Sequence, residues 1–384
     1  MMGAEERASV NEIFDQSNGV LFAHGFVPLR NNRYRVRELE RAFAAKLGSK
    51  YAQAVTSGTV AQFVTMQAMG VRPGDEVVTQ AFTFVATVEA ILALGAVPVI
   101  VDIDDTYNMD PSALERAISA HTRLIVPVHM LGNTADMDKI IAMAHKHHIP
   151  VLEDACEALG AKYRGRYAGT LTQAGFFSTD FQKTIVTGEG GFVATNDEAL
   201  FKFCREYHDH GHENNPAVPR GRDTRTIAGM NFRMTEMQAA VGLAQLKKLD
   251  QIVHLNRKHK TILKNYLRQS DRIHFRRLTD EEGELADTII FSFEDKRWTE
   301  AFLKQYTAAG YHTKNIPDAI DWHFAGTWNQ MFSNVPGYRD CWRTAWAKSA
   351  ELLARSISTP IYLKKTDAEL HREGETMLKI IRSL

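Results

Sequence analysis

The stretch Gly175-Phe176-Phe177-Ser178-Thr179-Asp180-Phe181-Gln182-Lys183-Thr184-Ile185-Val186-Thr187-Gly188-Glu189-Gly190-Gly191 leads an apolar strand into a polar turn that carries one lysine. A glycine-rich bend follows, and then a second strand from Phe192 to Ala194. Gly188, Gly190 and Gly191 let the backbone pass close to a ligand or take a positive φ, which a residue with a Cβ resists. Lys183 is thereby held on a hairpin-like support inside a cleft. A lysine taken alone is a solvated surface residue; Lys183 gains a chemical role only beside a phosphate cradle, a carboxylate and a flat ring.

Upstream of this stretch, strand and helix signals alternate. Tyr51 to Val55 reads as a strand, and Thr56-Ser57-Gly58-Thr59 turns into a helix reaching Met69. Strands over Glu76 to Thr79, Val97 to Asp102, Leu124 to Val128 and Pro150 to Asp154 are separated by helices over Val85 to Leu94, Asp110 to Ser119 and Asp136 to His147. Strands spaced by helical patterns form βαβ units, so the chain is an α/β protein with a mostly parallel sheet covered on both faces. Ligands in such sheets bind beyond the carboxyl ends of the strands.

The flanks complete the plan. An apolar stripe (Val36, Leu39, Phe43, Leu47) predicts a helix closed by Gly48, preceded by an N-terminal arm over residues 1–35. Its segment His24 to Arg37, with Arg30, Arg33, Arg35 and Arg37, fits a solvated arm or a loop folded over a cleft. Beyond Lys183 come a helix over Asp197 to His208, an irregular loop to Ala228, and one long helix from Thr235 to about Leu267. Strands near Ile273 to Phe275, Thr288 to Phe293 and Ile357 to Tyr362, with helices near Thr299 to Ala309, Trp342 to Leu353 and Asp367 to Arg382, form a separate α+β unit. The expected division is a large unit of residues 1–250 and a small C-terminal unit of residues 251–384, in line with a length of 384 residues.

Composition narrows the function. Lys plus Arg and Asp plus Glu each number 46, so no basic excess points to nucleic acid or an anionic membrane. Three cysteines (Cys156, Cys204, Cys341) argue against a disulfide framework and for a reducing compartment. The acidic start and the broken apolar run near Ala90 to Val101 resemble neither a signal peptide nor a membrane span, so a cytoplasmic protein is expected. The runs around His145 to His148 and His208 to His212 lack carboxylate or cysteine partners at ligand spacing, and no metal is expected.

Four further motifs surround the lysine. Ser57-Gly58-Thr59 lies between a strand and a helix, where unpaired N–H donors and a partial positive charge suit a phosphate; a plain helix cap is the bland alternative. Asp154, beside Glu153 at the end of a buried strand, is costly to desolvate unless a cation meets it. Phe84, after the strand Glu76 to Thr79, can stack on a flat heterocycle or simply pack in a core. Asn231 opens the long helix, where a turn asparagine is the ordinary reading.

Together these motifs give a resemblance. Ser178, Lys183 and Thr187-Gly188-Glu189-Gly190-Gly191 resemble the S-x-x-x-x-K-x-x-x-T-G-E-G-G signature of the sugar aminotransferases of the DegT/DnrJ/EryC1/StrS family, and the other motifs fall in the family's order. The resemblance implies a fold-type-I aminotransferase that holds pyridoxal 5'-phosphate on Lys183 as a Schiff base and moves an amino group from glutamate to a keto or aldehydo sugar. By the same resemblance Gly58 and Thr59 take the phosphate, Asp154 the protonated pyridine nitrogen, Phe84 the ring face, and Lys183 the proton transfers. Glu157 stands where many members carry a glutamine that contacts the phenolic oxygen, and Asn231 implies a homodimer whose sites are shared between subunits.

Arg30-Asn31-Asn32-Arg33, His208-Asp209-His210-Gly211-His212, Gly229-Met230-Asn231-Phe232-Arg233 and Asp321-Trp322-His323 are similar to the subgroup that makes 8-amino-3,8-dideoxy-octulosonate, a lipopolysaccharide sugar acid. Arg30, Arg33 and His323 are the residues expected to hold such an acidic substrate. A nucleotide-linked 4-keto-6-deoxy sugar is the other acceptor class. Two rival readings are a sugar dehydratase, whose resembling members replace the lysine with histidine, and a non-catalytic cofactor-binding regulator, which needs an appended DNA-binding domain.

Overall fold

A computed structural model describes residues 2–215, 217–333, 335, 338 and 344–384. Its central sheet has two parts. One runs in the order Tyr51–Val55, Gly191–Thr195, Ala174–Ser178 and Leu152–Asp154, and the other in the order Val97–Val101, Glu76–Gln80 and Thr122–Ile125. Parallel bridges Ile125↔Val151 and Val128↔Asp154 join the two. Within this sheet only Gly191–Thr195 runs antiparallel, between Tyr51–Val55 and Ala174–Ser178. The buried strands are nearly continuous apolar runs because helices cover both faces.

Every parallel strand therefore ends on one rim. Ser57 follows Val55, Phe82 to Phe84 follow Gln80, Asp154 closes Leu152–Asp154, and Ser178 closes Ala174–Ser178. Gly191 begins its antiparallel strand on that rim, packed so tightly that a Cβ would lie 2.2 Å from Ser57 O. No residue but glycine fits there.

The C-terminal part holds an antiparallel sheet of Ile273–Phe275, Thr288–Phe293 and Ser356–Pro360. Helices Leu249–Leu267, Lys296–Ala308 and Asp367–Ser383 pack on it around Leu263, Phe291, Phe302, Tyr306, Met377 and Ile381. Several described residues between 320 and 346 pack away from this sheet. Ala325, Trp328, Phe332 and Trp346 pack with Ala81, Val85, Val88 and Ile100 of the large unit. Thr83 N and Val85 N donate to His323 O and Trp322 O at 2.9 Å each, bracing the Phe82 to Phe84 rim loop.

Three expectations change. The single helix over Thr235 to Leu267 is two, Glu236–Leu246 and Leu249–Leu267, because the halves bury different faces. The first packs its small residues Ala239, Ala240 and Gly242 in the large unit, and the second turns Leu263 and Leu267 into the C-terminal core. Residues Ala4–Ser17 of the expected arm form a helix fixed by polar contacts: Glu6 accepts from Lys248 Nζ at 2.6 Å and from Gln245 Nε2 at 2.7 Å. The helix expected over Trp342 to Leu353 is seen as Ala347–Ala354; Trp342, like Cys341, lies outside the described residues. Among the described residues no helix is long and apolar enough to cross a membrane.

Candidate active site

A cavity of about 400 Å³ opens at the sheet rim, lined by Gly58, Thr59, Phe84, Asp154, Glu157, Ser178, Lys183 and His323 among others. Sequence reasoning named all eight. Each arrives by a local cause. Ser57 caps the helix Gly58–Ala68, its side chain accepting from Val60 N at 3.2 Å, which leaves the first-turn N–H groups of Gly58 and Thr59 free of helical partners. Gly58 lets that helix end press on the neighbouring strand, because a Cβ there would meet Ser178 Cβ at 2.8 Å and Cys156 Sγ at 2.9 Å.

Asp154 is buried at the strand end. Cys156 N donates to its Oδ1 at 3.0 Å and Thr87 Oγ1 to its Oδ2 at 3.0 Å. Burial pushes its pKa up, and the two hydrogen bonds and Lys183 only partly offset this. It makes no ion pair among the described residues. A buried carboxylate placed this way suits a cationic ring nitrogen.

Lys183 Nζ lies 3.4 Å from Glu157 Oε1, with side-chain exposures of 15% and 10%. Burial works to discharge both groups, but each holds the other charged. Lys183 sits above its ordinary pKa through Glu157, Cys156 and Asp154. Against the burial penalty, Lys183, His323 and Lys314 hold Glu157 at about 2. Leu131 N donates to Glu157 Oε2 at 3.3 Å, and His323 Nε2 stands 3.9 Å from Oε1. The Phe84 ring is exposed, stacked at 6.3 Å on Trp322, with Lys183 Nζ 6.0 Å from its centroid.

Three predicted residues lie elsewhere. Arg30 is fully buried: Nη2 is 2.8 Å from Glu236 Oε2, Nη1 donates to Phe22 O and Nε to Arg33 O, both at 2.7 Å. Arg33 is exposed and donates to Gln16. Asn231 is exposed, bridged to Asp209. None of the three lines the cavity of its own chain. Conversely, Thr87, Gln182, Asp287, Lys314 and Asn315 line it without having been singled out. Thr87 had a usable signal, one turn beyond Phe84; Lys314 and Asn315 had none. Among the described residues no cluster of three His, Cys, Asp or Glu forms a metal site.

The residues present fit pyridoxal phosphate. Free N–H groups on small residues suit its phosphate, Asp154 its ring nitrogen, Phe84 its ring and Lys183 its aldehyde carbon.

Comparisons with known proteins agree. The profile of the DegT/DnrJ/EryC1/StrS aminotransferase family matches residues 29–377. GDP-perosamine synthase of Caulobacter vibrioides is 43% identical over 215 residues, which is 56% of this chain and 57% of that enzyme's length. GDP-perosamine synthase of Escherichia coli O157:H7 is 35% identical over 271 residues, 70% of each chain. The crystal structure of a 3-amino-5-hydroxybenzoic acid synthase superposes with a TM-score of 0.86 at 28% identity, covering 100% of this chain and 98% of that one.

Proposed function

Because this chain belongs to the DegT/DnrJ/EryC1/StrS aminotransferase family, we propose that it is a pyridoxal-phosphate-dependent aminotransferase that carries an amino group from glutamate to a keto or aldehydo sugar. The supporting observation is the buried carboxylate of Asp154, without an ion-pair partner among the described residues, facing the same cavity as the amine of Lys183. Pyridoxal phosphate, when bound, supplies an electron sink for the pair left behind when a C–H bond breaks. Asp154 keeps the ring nitrogen protonated. Gly58 and Thr59 anchor the phosphate, with Ser178 beside them.

With the cofactor bound, Lys183 Nζ in its neutral form would take the proton from the α-carbon of glutamate and, in the second half-reaction, give one up to the former carbonyl carbon of the acceptor. Glu157, charged at neutral pH, orients the amine. His323 and Trp322 close the cavity on the side of Phe84. Lysine at position 183, rather than the histidine of the resembling dehydratases, favours transamination over dehydration.

The first choice of acceptor is a nucleotide-linked 4-keto-6-deoxy sugar, from the names of the two perosamine synthases. An 8-oxo-3-deoxy-octulosonate of lipopolysaccharide synthesis is the second, favoured by the His208 to His212 and Gly229 to Arg233 segments, which pair through Asp209 and Asn231. The enzyme works as a cytoplasmic homodimer in which Asn231, exposed on its own chain, reaches the partner's phosphate. The test is to load the purified protein with pyridoxal phosphate, follow its absorption on adding glutamate, and score 2-oxoglutarate release with each acceptor. A protein that stays colourless after loading would sink the proposal; release with only one acceptor selects between the two.

A further inference from the structure

A second cavity, of about 470 Å³, opens beside the first and shares Lys183, Lys314 and Asn315 with it. Its wall brings together the helix Leu249–Leu267 and the segment 313–319. Three polar side chains on this wall are at least nine-tenths buried: Asn256 at 3% exposure, Asn315 at 6% and Thr313 at 9%. Thr313 Oγ1 and Asn315 Nδ2 have no hydrogen-bond partner, and the amide of Asn256 makes no side-chain hydrogen bond among the described residues. Folded proteins satisfy nearly all buried polar groups, since leaving one unpaired is costly. Two such groups, with the Asn256 amide beside them, converge on one cavity next to the reactive amine and await hydrogen-bonding atoms from a ligand.

Electrostatics narrow its class. The two cations at this cavity are both engaged, Lys183 with Glu157 at 3.4 Å and Lys314 with Asp287 at 2.8 Å. Asp318, which accepts from Thr313 N at 3.1 Å, adds negative charge. Such a wall disfavours a phosphate and suits hydroxyl groups, which both donate and accept.

We propose that this side cavity is the subsite for the uncharged, hydroxyl-bearing part of the amino acceptor, read by Asn256, Thr313 and Asn315. The assignment rests on the aminotransferase reading. Any phosphate of the acceptor lies outside this subsite.

The test uses the cofactor-loaded protein with Asn256→Leu and Thr313→Val, singly and together, and Thr313→Ser as the variant that keeps the hydroxyl. These apolar changes remove polar groups that lack partners, so Tm without substrate holds or rises. With GDP-4-keto-6-deoxymannose and 8-oxo-3-deoxy-octulosonate each offered as acceptor, the double variant raises the acceptor KM about tenfold, and Thr313→Ser restores the Thr313 share. The absorption change on adding glutamate keeps its rate. An unchanged acceptor KM overturns the assignment. So does a fall in Tm, which reveals partners in the free protein and reads out whether or not either sugar is turned over. A wild-type protein that does not respond to glutamate removes the aminotransferase reading itself, and is seen before any variant is made.

Discussion

Glu157 Oε1 lies 3.4 Å from Lys183 Nζ, and the far oxygen of the same carboxylate is held by Leu131 N at 3.3 Å. The acid is thus fixed on both sides, by the amine it charges and by a backbone amide. Burial alone would leave a neutral amine and a neutral acid. The geometry wins, and the pair stays ionic.

Glu157→Gln removes the charge and keeps the shape. Lys183 then loses its largest support against burial, and its pKa falls. Amine labelling of cofactor-free protein across pH, mapped to the Lys183 peptide, reads this directly; an unchanged labelling curve would count against the ion pair. The stability sign also follows. The folded protein holds Glu157 near 2, below the ordinary 4.5, so the pair stabilises above pH 4.5 and its contribution disappears as pH falls toward 2. The stability gap between wild type and variant closes over that window.

Lys183→Ala abolishes turnover, by roughly 10³-fold or more, yet leaves cofactor retention largely intact because the phosphate contacts proposed for Gly58 and Thr59 remain. Equilibrium dialysis with pyridoxal phosphate beside a 2-oxoglutarate assay checks both halves. An active variant would remove the central claim about this amine.

Asp154→Asn should separate stability from function. Burial raises the pKa of Asp154 in the folded state, so its ionised form costs stability, and the cost grows as pH rises past the unfolded value. At neutral pH the cofactor-free Asn variant therefore melts higher, by roughly 2 °C or more, while turnover drops about 10²-fold or more. A lower Tm together with full activity would contradict the role given to this carboxylate.

Much of this was legible in the chain. Alternating strand and helix patterns give the sheet, and the sheet rim gathers Gly58, Phe84, Asp154 and Lys183 because each sits at the carboxyl end of its own strand. Local pattern fails where position depends on a distant segment. The helix Ala4–Ser17 buries Ile13 as its one large apolar side chain and is held by the Glu6 to Lys248 pair, which periodicity does not show. Arg30 looks like a surface cation but neutralises Glu236 in the interior. Lys314 and Asn315 reach the cavity only through the tertiary course of the C-terminal chain.

Arg276 supports the pair from behind. Its side chain is 2% exposed and donates to Met130 O at 3.0 Å, Leu131 O at 2.8 Å and Glu284 Oε1 at 3.1 Å. Leu131 has φ 50°, a left-handed backbone that needs such restraint. Arg276→Met strips two carbonyls and a carboxylate of a partner and costs about 3 kcal/mol or more; Arg276→Lys, with no planar fork, falls between. Urea unfolding should show a lower midpoint with an unchanged slope. A midpoint equal to wild type would show that the Met130 to Leu131 bend holds itself.

The proposed shared-site dimer makes a prediction that a monomer cannot satisfy. Lys183→Ala lacks the amine, and Asn231→Ala lacks the group proposed to reach the partner's phosphate. If Asn231 serves the neighbouring site, a mixed dimer puts both defects in one site and leaves the other whole. Random reassortment makes about half the dimers mixed, each with one intact site of two, so activity recovers to about a quarter of wild type. If Asn231 served its own chain, each site of the mixed dimer would carry one defect and mixing would recover nothing. Activity measured after co-unfolding and refolding the two inactive variants together, set against each refolded alone, distinguishes these outcomes.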